Sequence, residues 1–231
     1  MAGWAVHALT ASGLVLALLA IEAVERGDWR VALLWLLAAL VVDGIDGTLA
    51  RAVRVEERLS RIDGTVLDLI VDYLTYVFVP ALLIWRAEML PHGVALPLVA
   101  SILVSSLYVF GRRDMKTDDG YFRGFPALWN VVAVYFVLTP LFPWLAAATV
   151  AGLVLLTFSP IHVVHPFRVT AQRPIAAGAA AIWVISTTAM LLSPLPPYWW
   201  HMVLGFSLLS LTVLALLGLV RTIRGPRTVA A

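Results

Sequence analysis

Residues 41–74 read VVDGIDGTLARAVRVEERLSRIDGTVLDLIVDYL. Asp43 and Asp46 interrupt one apolar run, Asp68 and Asp72 interrupt the next, and a break rich in Arg and Glu lies between them. An Asp at the centre of a membrane helix costs roughly 2.5–3.5 kcal/mol on insertion scales, and less toward the helix ends. Four such residues need compensation if the runs lie in lipid. The rest of the chain says that they do. Of its 231 residues 61% are hydrophobic and only 13% charged, with mean hydropathy +0.93, too little polar surface to coat a water-soluble globule. The expected fold class is all-α, a polytopic transmembrane helical bundle forming one integral-membrane domain over residues 1–231, with no second, soluble domain.

Runs of about 20 apolar residues are needed to cross the hydrocarbon core as helix. Eight candidates lie at 5–24, 30–51, 64–85, 93–111, 125–143, 145–164, 175–193 and 199–220. The fifth and sixth are joined by LTPLFPW, a tight turn or a kink. The first run lacks the basic start and short apolar core of a secretory signal and reads as a retained membrane segment. Cytoplasmic loops carry the excess of Lys and Arg. Arg51, Arg54, Arg58 and Arg61 fall in one break, and Arg112, Arg113, Lys116 and Arg123 in another on the same side. Arg168, Arg173, Arg221, Arg224 and Arg227 join them there, against Arg26, Arg30 and Arg86 opposite. This bias puts both termini in the cytoplasm and supports an even number of spans. Tyr198, Trp199 and Trp200 read as interfacial anchors.

The net charge of +2 and pI of about 9.2 reflect these topology signals, and the basic residues form no continuous face for nucleic acid. With no cysteine there are no disulfides, thiolate ligands or cysteine nucleophile. Any metal must sit on oxygen or imidazole.

The aspartate spacings supply the compensation. Asp43 and Asp46 are i, i+3 and Asp68 and Asp72 are i, i+4, so each pair projects from one face of its helix. The two helices are sequential and antiparallel, so the pairs can converge. Four carboxylates offer hard oxygen ligands for about two divalent cations, with Mg²⁺ or Mn²⁺ the natural choice. Gly44, Gly47, Ala50 and Gly64 let a ligand or a neighbouring backbone come close, or serve only helix packing. Arg51 stands where a guanidinium reaches a phosphate or anchors the span.

In order, Asp43, Asp46-Gly47, Ala50-Arg51, a spacer, Gly64, Asp68 and Asp72 resemble the signature of the CDP-alcohol phosphotransferases. The resemblance implies that the four aspartates bind two metals, Mn²⁺ or Mg²⁺, which hold the pyrophosphate of a CDP-linked donor. It implies that Gly47, Ala50, Arg51 and Gly64 surround the CDP phosphates and that Asp72 is also the general base. The 12-residue spacer, AVRVEERLSRID, is longer than in most members. It resembles the bacterial branch that joins choline directly to CDP-diacylglycerol, releasing CMP. The similarity extends to TDDGYFRGFPALWN at 117–130 and HPFRV at 165–169. It implies a site facing the cytoplasm from the bacterial inner membrane, and a homodimer.

Choline is a quaternary ammonium, recognised by aromatic faces. Tyr73, Tyr76, Tyr108, Tyr121, Phe122 and Trp129 are the candidates, each weighed against plain packing. His162 and His165 are an alternative base, a phosphate contact or interfacial histidines. Arg112, Arg113, Arg123 and Arg168 clamp lipid phosphate or anchor loops. Serine, glycerol phosphate or inositol phosphate is the rival acceptor. An ion-coupled transporter is a remoter reading, because the intramembrane Asp occur in two adjacent segments and not in both halves of a repeat.

Overall fold

The computed structural model describes residues 2–53, 63–169, 172–192 and 195–226, with side chains throughout except at 2, 3 and 50–53. The expectations for Ala50, Arg51 and most of the spacer therefore fall on side chains outside the described residues. The described chain is mostly helical and divides into two compact units, residues 1–110 with 128–147 and residues 111–127 with 148–231.

In the first unit, α1 (Ala2–Glu25) and α2 (Trp29–Val53) form an antiparallel hairpin. Its turn closes on Gly27, at φ +75°, a left-handed conformation that costs glycine nothing. The Gly27 amide donates to the Val24 carbonyl at 3.0 Å and the Asp28 amide to Ala23 at 2.9 Å, which takes up carbonyls that the end of α1 would leave orphaned. Ala20, Ala23 and Val24 recur at i, i+3, i+4 along the buried face of α1, and α2 answers with Ala32, Leu33 and Leu36. These small side chains let the backbones approach closely, where packing contacts rather than hydrophobicity drive association in lipid.

The third span is one continuous winding in three parts: α3 (Gly64–Asp72), a π-helical turn (Tyr73–Phe78) and α4 (Val79–Arg86). Asp63 caps it, accepting from the Thr65 and Val66 amides at 2.9 and 3.3 Å. The π turn has a local cause in Pro80, which has no N–H and whose ring would crowd the Tyr76 carbonyl in α geometry. α5 (His92–Gly111) and α6 (Trp129–Leu138) follow, with α6 packed on α2, the π turn and α4.

The second unit holds most of α7 (Pro143–Thr157), then α8 (Arg173–Leu192) and α9 (Pro197–Arg224), with a two-stranded antiparallel sheet. Strand β1 (Tyr121–Arg123) pairs with β2 (His162–Val164) in the register Tyr121 to Val164. The all-α expectation did not include this sheet. Gly218 of α9 lets β2 lie close, because any Cβ there would strike the His162 carbonyl. Asp119 and Arg221 form a two-pronged ion pair at 2.5 and 3.3 Å. The Arg221 guanidinium lies 5.8 Å from the centre of the Tyr121 ring, and the Tyr121 hydroxyl donates to Gln172 at 2.9 Å.

Among the described residues six helices are long and apolar enough to cross a membrane, and they match six of the eight expected spans. Large apolar side chains such as Leu18, Val104, Leu107, Ile185 and Leu209 point outward from them, as a lipid-facing surface requires. This is a multi-pass membrane protein. The expected spans at 125–143 and 145–164 are instead apolar helices of 10 and 15 residues. Proline sets their ends. Pro126 and Ala127 (φ +58°) precede α6, Pro140 forces Thr139 out of helical geometry, and Pro160 with the β2 pairing takes the residues after Thr157.

Candidate metal centre

Three of the four aspartates converge. Asp43 of α2 and Asp68 and Asp72 of α3 each offer one carboxylate oxygen, all within 4.8 Å of one another. The i, i+4 spacing stacks Asp68 and Asp72 on one face of α3, and the α1 and α2 hairpin brings Asp43 opposite. Octahedral Mg²⁺ holds its ligands at 2.0–2.1 Å, which places neighbouring ligand oxygens about 3 Å apart and opposite ones about 4 Å apart. Three oxygens within 4.8 Å are thus a small side-chain rotation from enclosing one such ion. An all-carboxylate donor set suits hard divalent cations.

Asp46 lines the same small pocket but stands outside this trio; it is 3% exposed and lies beside the Thr10 hydroxyl. Thr10 and Gly13 of α1 also line the pocket, and neither stood out in the sequence. Their i, i+3 spacing, which puts both on one face of a mostly apolar helix, was the available signal. At Gly13 an added Cβ would come within 2.5 Å of Val71 Cγ1, so the glycine lets α1 lie against the carboxylate-bearing face of α3. Gly64, expected near phosphate, is packed by the His7 ring, with Cε1 3.0 Å from where a Cβ would be. Gly47 is half-buried on α2 beside Asp46.

The six aromatic candidates divide between the units. Tyr73, Tyr76, Tyr108 and Trp129 belong to the first, and Tyr121 and Phe122 to the second. The Tyr73 hydroxyl donates to the Leu103 carbonyl at 2.9 Å, and its ring meets Phe110 edge-on. Tyr76 is buried, and its hydroxyl donates to Asp43 Oδ2 at 2.5 Å. Trp129 is fully enclosed and gives its indole N–H to Ser106 at 2.9 Å. Tyr108 keeps an exposed ring. Tyr121 is buried beneath Arg221, while Phe122 stacks on His165 with Lys116 Nζ 5.3 Å from its centre.

His162 lies in β2, where its amide donates to Thr222 at 2.8 Å. Desolvation, then the positive charges of Arg221 and Arg123, hold its pKa below the ordinary histidine value. Arg112 forms a forked pair with Asp114 at 2.8 and 2.9 Å and so holds that carboxyl below its ordinary range. Arg113, Arg123 and Arg168 are exposed.

Fold and site together define a multi-pass membrane protein with a carboxylate cluster fit for a divalent cation at the meeting of two spans. The sequence model of the CDP-alcohol phosphatidyltransferase family matches residues 5–164, and the chain belongs to that family. Among its relatives, the phosphatidylcholine synthase of Pseudomonas aeruginosa is 52% identical over 80% of this chain and 77% of its own length. Those of Bradyrhizobium diazoefficiens and Borreliella burgdorferi are 43% and 36% identical, over 80% and 79% of this chain and 69% and 80% of their own.

Proposed function

We propose that this chain makes phosphatidylcholine, transferring the phosphatidyl group of CDP-diacylglycerol to choline and releasing CMP. The observation that carries the reading is the convergence of Asp43, Asp68 and Asp72 within two membrane spans, in a chain whose relatives are phosphatidylcholine synthases.

Bound cations, Mn²⁺ or Mg²⁺ and two per site, supply neutralisation of the pyrophosphate and of the charge that develops on the departing CMP. Asp43, Asp68 and Asp72 would hold them, with Asp46, which lines the same pocket, as the fourth ligand. Gly47, Ala50, Arg51 and Gly64 contact the CDP phosphates. Asp72 accepts the choline hydroxyl proton; the choline oxygen bonds to the phosphorus bearing diacylglycerol, and the bond from that phosphorus to the CMP oxygen breaks. Tyr73, Tyr108, Tyr121 and Phe122 remain the candidates for aromatic contact with the ammonium.

An even number of crossings, six or eight, leaves both termini in the cytoplasm with most of the Lys and Arg. The site then opens toward the cytoplasmic face of the bacterial inner membrane, where the lipid tails stay in the bilayer while choline arrives from water. A homodimer is the proposed assembly. The test is CMP release from CDP-diacylglycerol on adding choline and Mn²⁺. Release is expected with choline, not with serine, glycerol phosphate or inositol phosphate, and is lost in Asp72→Asn. Turnover with serine in place of choline overturns the acceptor assignment.

A further inference from the structure

We infer that Tyr76 is a positioning residue for the cation site, orienting Asp43, and that its ring is not a choline contact. This rests on the reading of Asp43 as a metal ligand. Asp43 is on α2, whereas Tyr76 is in the π turn that follows α3, so the bond from the Tyr76 hydroxyl to Asp43 Oδ2 ties together the two spans that contribute the converging oxygens. The same hydroxyl lies within electrostatic reach of Asp72 and Asp68.

The chemistry of that bond favours a supporting role. A carboxylate turns freely about its last side-chain bond, and a donor fixed on one oxygen sets the direction of the other. Partners of this kind around metal ligands commonly carry a 10–100-fold effect on affinity. Tyr76 suits the task because it is rigidly held: it is 7% exposed, in a turn whose widening is set by Pro80, with buried Thr75 and Val77 on either side. The burial also argues against the cage role. A cation must come within about 6 Å of an aromatic face, and the enclosed Tyr76 ring lacks the open face that Tyr108 retains.

The test is Mn²⁺ binding to the purified full chain in detergent, followed by the loss of the free-ion electron paramagnetic resonance signal, alongside choline KM. The proteins are the unmodified chain, Tyr76→Phe, Asp43→Asn and the double variant. Tyr76→Phe is expected to weaken Mn²⁺ binding about tenfold or more and to leave choline KM unchanged, and the double variant to bind no worse than Asp43→Asn. Pro80→Ala, which removes the cause of the π turn, is the second probe and is expected to weaken Mn²⁺ in the same direction. If Asp43→Asn itself leaves Mn²⁺ binding intact, the ligand reading of Asp43 fails. If Asp43→Asn weakens Mn²⁺ but Tyr76→Phe and Pro80→Ala do not, or if Tyr76→Phe raises choline KM alone, the positioning role is overturned.

Discussion

Replacing Gly13 by alanine tests how tightly α1 sets the position of the carboxylate helix. The new methyl carbon would stand 2.5 Å from Val71 Cγ1, whereas non-bonded carbons settle at about 3.5–4.0 Å, so roughly 1 Å must be found. Val71 cannot easily yield it, being 6% exposed, β-branched and effectively confined to one rotamer in a helix. The alanine gains about 0.5–1 kcal/mol of helix propensity, while overpacking costs about 1–3 kcal/mol. Net destabilisation is therefore modest, up to about 2.5 kcal/mol. The functional effect is larger, because Val71 directly precedes Asp72, and a displacement of about 1 Å at a reacting group costs on the order of 10²-fold. CMP release and thermal unfolding in detergent are to be compared for Gly13→Ala, Val71→Ala and the pair. Turnover should fall 10–100-fold in Gly13→Ala with a small shift in melting, and much of it should return in the pair, where Cγ1 is gone. Unmodified turnover in Gly13→Ala, or no recovery in the pair, refutes the reasoning.

Arg221→Gln should cost the second unit about 1.5–3 kcal/mol, the range for a hydrogen bond to a charged group, since it strips the guanidinium from a partly buried Asp119; an unchanged unfolding midpoint counts against it. Acid should destabilise the same unit by two routes. Burial pushes the Asp119 pKa up, but the Arg221 and Thr117 hydrogen bonds and the Arg221 charge bring it below the ordinary value, so its contribution is present above that value and lost as pH falls through the lowered one. His162, also lowered, favours its neutral form, and its contribution is lost as pH falls below the ordinary histidine value. Melting midpoints followed from about pH 8 down to about pH 2 check the sign, His162 acting in the upper part of the range and Asp119 in the lower, and a midpoint that rises on acidification contradicts it. Chelation should abolish CMP release, with Mn²⁺ or Mg²⁺ restoring it; activity that survives exhaustive chelation removes the cation from the reaction.

Much of this was legible in the sequence because lipid makes charge conspicuous. Asp43, Asp68 and Asp72 could be read as one cluster from helical spacing and the antiparallel order of two spans, and they do converge. Asp46 carried the same signal, yet its side chain lies buried next to Thr10, beyond the trio. Spacing fixes the face of a helix and not the rotamer. Thr10, Gly13 and the Asp63 cap escaped notice because a single hydroxyl or glycine in an apolar helix is common, and only the neighbouring helix gives it meaning. The two short helices fell below spanning length through prolines at 126, 140 and 160, whose combined effect depends on where backbone pairing resumes. The short sheet was hidden for a related reason. Its strands are three residues each and 38 residues apart from the end of one to the start of the next, too brief for alternation to register.

The π turn has one more consequence, for chain length. An α-helix registers every inserted or deleted residue as a rotation of about 100° in all that follows, so losing one residue between Asp68 and Asp72 would turn one carboxylate away from the other. The segment 73–78 already carries a surplus residue relative to straight α winding. A deletion there can be absorbed by relaxing to α geometry, leaving both the Asp68 and Asp72 pair and the part ending at Arg86 in their present phase. That segment is where this span can lose a residue without turning its carboxylates away from the cation site.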